Sequence, residues 1–164
     1  MADVSRLLAE LDAAREAFLE ALSNVDADLV LAPGVVDDWS VRDVVVHVAA
    51  WDDHGADALA LAAAGRGGEF AYSTADTDAM NERILAEARA VSPAEALERE
   101  ERAFGRLRGA VEALDPALLS HRLGNGDSVE EVIRYDGPDH YAEHTEHIRA
   151  WFGAGGDEED DEPA

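Results

Sequence analysis

WSVRDVVVHVAAWDDHGADALALAAA, residues 39–64, is the stretch whose reading decides the fold. Ser40 is followed three residues on by Asp43, a capping-box start with the shorter acid. Behind it Val44, Val45, Val48, Trp51, Ala58, Leu59 and Ala62 recur at helical spacing and form one apolar stripe. The β-branched residues at the start would also suit a short strand, but the cap and the many alanines favour a helix. Gly55 falls on the stripe and marks a close approach to a neighbour; Gly65, Gly67 and Gly68 end the helix. His47 lies within the stripe, so its imidazole is expected to point inward.

The rest of the chain repeats the helical period. A first helix is expected from Val4 to Val25, with Leu7, Leu8, Leu11, Phe18 and Leu22 on its apolar face. Residues 26–38, with Pro33-Gly34, read as a connector, and residues 66–75 as a loop. A third helical segment spans Asp76 to Ala90. Ser92-Pro93 opens a fourth, which runs to Leu114 with Leu97, Phe104, Leu107 and Val111 as its stripe. A short helix is expected from Val129 to Arg134. A last one runs from Pro138 to Phe152, where Gly153 follows. These elements predict an all-α four-helix bundle with one extra short helix over residues 1–152, then a disordered acidic tail at 153–164.

Composition narrows the function. The 164 residues suit one domain with a real core. No apolar run approaches the roughly 20 residues of a membrane helix, and the amphipathic, acid-bearing start is unlike an export signal. A cytoplasmic protein is the expectation. There is no cysteine, which excludes disulfides, thiolate ligands and a cysteine nucleophile. The net charge is −24, and the last ten residues hold six of the acids, leaving −18 on the body. Such a field repels phosphate backbones and anionic lipid, so nucleic-acid and membrane partners are not expected. All 13 basic residues are Arg. A GC-rich genome and a salt-loving host would both produce that composition.

Five of the six histidines fall on two helices: His47 and His54, then His140, His144 and His147. His140 and His144 stand one turn apart, the spacing that lets two imidazoles reach one ion from one helix. Taken alone, His47 reads as a core histidine bonded to a carbonyl or carboxylate, and the pair as an exposed polar face. Taken together on two helices of one bundle, they make a three-histidine metal site with open positions, as in catalytic zinc. Imidazole also suits nickel, iron or copper. Affinity for the ion is expected to fall as pH drops through roughly 6.5. His54 and His147 lie beyond the candidate ligands and suit supporting or surface roles. Glu143 and Glu146 face water, and the solitary His121 carries no argument.

WSVRDVVVHVAAWDDH, residues 39–54, resembles the second-helix signature of the DinB/YfiT-like superfamily, and HYAEHTEHIRAW, residues 140–151, resembles its last helix. Residues 78–114 are most similar to the ClbS/DfsB branch, with an Asn near the start and then a Ser-capped helix. The resemblance implies a four-helix bundle, often a homodimer, with His47, His140 and His144 as ligands of a divalent metal. It implies activities that range over thiol-dependent transfer and isomerisation, hydrolysis, and self-protection against reactive natural products. The acidic tail is outside the family pattern.

The favoured expectation is therefore a metal-dependent enzyme acting on a small electrophile, by hydrolysis or thiol transfer. Zinc or nickel would be the ion, with a low-molecular-weight thiol as cosubstrate. Trp39, Trp51, Phe70 and Tyr72 could line its cleft, or be plain core. Trp51 and Asn81 are the candidate substrate contacts. No general base stands out. The alternative is a non-catalytic protein that sequesters a small molecule, with a structural metal.

Overall fold

A computed structural model describes residues 3–157. It contains six α-helices among the described residues: α1 (Val4–Ser23), α2 (Val41–Ala63), α3 (Thr74–Ala88), α4 (Pro93–Glu112), α5 (Val129–Asp136) and α6 (Pro138–Asp157). Short 3₁₀ turns punctuate the connections, and the only β pairings there are isolated bridges. No helix among these residues is long and apolar enough to cross a membrane.

The starts of the helices are written locally. Ser40 accepts from the Asp43 N–H while Asp43 returns a bond to the Ser40 N–H, closing the box read from sequence. Ser92 caps α4 with Pro93 at its first position. Ser73 and Ser128 close two further boxes, with Asp76 and Glu131. The Ser73 cap starts α3 two residues earlier than the apolar pattern does. At the other end of the chain, Gly153 does not stop the last helix. It is not among the glycines of positive φ, so it provides no left-handed cap, and α6 continues to Asp157. The remainder of the expected tail, residues 158–164, lies outside the described residues.

Helices α2, α4, α1 and α6 form a ring in that order, and α2–α6 is its loosest side. Helix α5 wedges against both α2 and α6 there. Leu7, Leu11, Phe18, Val44, Val48, Leu59, Leu107 and Ile148 fill the centre, each at most 1% exposed. Burying each such side chain contributes about 1.5–3 kcal/mol. Leu97, read from sequence as part of the α4 stripe, is exposed; Ala96, Glu100 and Ala103 are buried instead.

Two glycines shape the loose side. A Cβ on Gly55 would lie 3.2 Å from Asp136 Cβ and 3.3 Å from Leu107, so its absence admits the end of α5 against α2. A Cβ on Gly137 would lie 2.6 Å from the Ile133 carbonyl, so only glycine allows the abrupt turn from α5 into α6. That turn sets Asp136 and His140 on the same wall.

Candidate metal centre

His47 on α2 meets His140 and His144 on α6 across the loose side of the ring. Nε2 of His140 lies 2.9 Å from His47 Nε2 and 3.0 Å from His144 Nε2. One ligand atom from each ring lies within 4.8 Å of the other two. His47 and His144 are buried, and His140 keeps part of its ring surface at a cavity. Helices α2 and α6 make few contacts with each other, and the imidazoles span the space between them.

Burial, reinforced by neighbouring imidazoles, pushes the pKa of all three rings down to about 3. They are therefore neutral at physiological pH, each with one N–H and one lone pair. The His140 Nε2 takes part in both short contacts, and a single lone pair or proton there cannot satisfy both neighbours well. One cation accepting three lone pairs does. The two short contacts at His140 Nε2 would lengthen slightly to admit an ion between the rings. The residues fit a divalent metal. Nδ1 of His47 and of His140 is buried without a partner, whereas His144 Nδ1 lies 3.3 Å from His147 Nδ1. His147 thus supports His144 from behind. His121 is exposed in a distant turn.

The triad lies on the wall of an open cavity of about 480 Å³. Trp39, Trp51 and Tyr72 also line it; Phe70 does not, and packs as core against His54 and Tyr72. Trp39 meets His47 edge-on at 4.8 Å between centroids. Trp51 Nε1–H donates to Asn81 Oδ1 at 3.0 Å, and both residues line the cavity. An indole can only donate, so this bond assigns the amide oxygen and leaves the Asn81 NH₂ as the free donor.

A second pair adjoins the triad. His54 Nδ1 lies 3.0 Å from Asp136 Oδ2, and the His54 ring is held by Trp51, Phe70 and Tyr72. Asp136 is 2% exposed yet lines the cavity. Burial raises its pKa to about 6 against the opposing bond from His54. Sequence reasoning found no acid or base here. The available signal was an acid directly before Gly137-Pro138, on the apolar side of a short helix.

Away from the cavity, Tyr141 Oη lies 2.5 Å from Asp52 Oδ2 and 2.7 Å from Glu100 Oε1. Arg15 donates two bonds to Glu100, at 2.8 and 2.9 Å, and lies over the Phe104 ring. One hydroxyl proton cannot serve two carboxylates, so one carboxyl must carry its own. Burial raises the Asp52 pKa well above its ordinary value, making Asp52 the protonated partner. Glu100 stands on the α4 apolar stripe, which was the signal for this chain.

Residues 9–148 match the family of the mycothiol maleylpyruvate isomerase N-terminal domain. The chain belongs to this family. The family is DinB-like, in agreement with the superfamily resemblance of residues 39–54 and 140–151. No curated protein matches the chain. Among solved structures, an uncharacterised protein from Escherichia coli UTI89 superposes with a TM-score of 0.79 at 15% identity, over 93% of this chain and 94% of that one. That likeness shows the shared bundle.

Proposed function

We propose that this protein is a metal-dependent enzyme that adds a low-molecular-weight thiol, or water, to a small electrophile. The observation that carries the reading is the convergence of three neutral imidazoles on the wall of an open cavity. His47, His140 and His144 would hold zinc or nickel and leave coordination positions open toward that space. The ion supplies a Lewis acid that lowers the pKa of a thiol or water. Asp136, oriented by His54, accepts the proton released in the cavity and returns it to the product; a group titrating near 6 suits both steps. Trp39, Trp51 and Tyr72 restrict water around the reacting atoms, and the Asn81 NH₂ offers a donor to a substrate oxygen.

The family name refers to mycothiol and to maleylpyruvate. This chain has no cysteine, so a thiol in its reaction would come from a cosubstrate. Self-protection, one of the roles that the superfamily resemblance implies, is a finer setting for the same chemistry.

The test uses the full chain purified without a nickel column and reconstituted with zinc. A conjugated enone and a small thiol are supplied together. Consumption of both, lost with a chelator and slowed about 100-fold in Asp136→Asn at unchanged metal content, is the expected result. Enone binding without consumption would make the protein a sequestering one.

A further inference from the structure

We propose that the metal cavity selects a substrate bearing a positive charge beside an apolar body and rejects carboxylate-bearing molecules. This rests on reading the cavity as the substrate site.

Charge is partitioned around α2. Asp37, Asp136 and Glu143 line the metal cavity, and no arginine does. Lysine is absent from the chain. A divalent ion held by His47, His140 and His144 would be the one strong positive charge on that wall. The adjoining recess, which shares Trp39 and Asn81, adds Asp78 and Glu82. On another face of α2, a smaller recess against α4 holds Arg99, Arg102 and Arg106 beside Asp53 and Glu87, with Arg106 paired to Asp53 and Asp57. These arginines thus lie outside the metal cavity.

Acidic side chains on a bare surface of such a chain would mean little. Here they share a concave wall with Trp39, Trp51 and Tyr72, whose rings offer the negative π-faces that attract ammonium groups. A dicarboxylate entering the same space would find carboxylates at the mouth and no guanidinium to receive it. The Asn81 NH₂ then serves a neutral oxygen of the substrate.

The experiment is a binding titration of the zinc-loaded full chain, read by quenching of Trp39 and Trp51 fluorescence. Benzyltrimethylammonium and phenylacetate share a ring and differ in charge. The expected result is that the cation binds at least about tenfold more tightly, and that Asp37→Asn combined with Glu143→Gln removes most of the preference. Both side chains are exposed, and circular dichroism checks that the double variant keeps its fold. Phenylacetate binding as well as the cation, or an undiminished preference in the double variant, overturns the proposal. So does the failure of both ligands to bind at millimolar concentration. Thiol turnover on an uncharged enone is followed separately. Its absence would refute the catalytic reading without altering the charge preference, and fast turnover of acidic electrophiles would do the reverse.

Discussion

Helices α2 and α6 each carry two kinds of buried polar residue, and the two clusters they build differ in closure. His47, His140 and His144 meet at the loose side of the ring. There three lone pairs converge, and the arrangement opens onto a cavity. Asp52 and Tyr141 project from the same two helices into the tight interior, where Glu100 and Arg15 complete a chain. The second cluster contains its own counter-charge and proton, leaving Asp52 Oδ1 as its one buried atom without a partner. A polar cluster that satisfies itself holds helices together. One whose donors and acceptors do not match asks for a ligand.

The largest effect that would break this contrast concerns the ion. His47→Ala should take the metal content from about one ion per chain to near zero, while Arg15→Ala leaves it unchanged. Elemental analysis of both variants decides, and retention of metal without His47 would place the site elsewhere. Stability should respond the other way. Arg15→Ala strands the buried Glu100 charge and should cost about 3 kcal/mol, lowering Tm by roughly 6–12 °C. His47→Ala in metal-free protein should cost less. Thermal unfolding of chelator-treated samples compares them, and an unaltered Tm in Arg15→Ala would show the chain to be dispensable.

The smallest effect sharpens the comparison through pH. His144 is buried neutral, with its pKa lowered to about 3 by burial and the neighbouring rings, while the unfolded ring titrates near 6.5. Between those values the unfolded state binds more protons, so the stability His144 contributes is present above pH 6.5 and is lost as pH falls toward 3. Relative to His144→Asn, metal-free wild type should lose ~2 kcal/mol between pH 7 and pH 5, as measured by urea unfolding. A constant difference would mean that the rings are already solvated. The same burial sets the pH response of the metal site. In the folded chain, protons compete with the ion far below 6.5, so loaded protein should hold it at pH 5.5.

The α2 stripe, the Ser40 cap and the i, i+4 pair on α6 were legible because each is a local property of a helix, set by its 3.6-residue period. That period determines which residues share a face, and so it placed His47 among apolar neighbours and His140 over His144. It says nothing about which faces meet at what separation. Asp136 became part of the cavity only because Gly55 and Gly137 let α5 close against α2 and turn sharply into α6. Glu100 stands on the α4 stripe, but only the fold brings Arg15 and Tyr141, far away in the chain, to share its interior. Local pattern thus determined the helices and the metal-ligand candidates. Packing across the ring decided which acids were buried, what partners they had, and hence which could hold or move a proton, because desolvation and pairing are properties of the assembled interior.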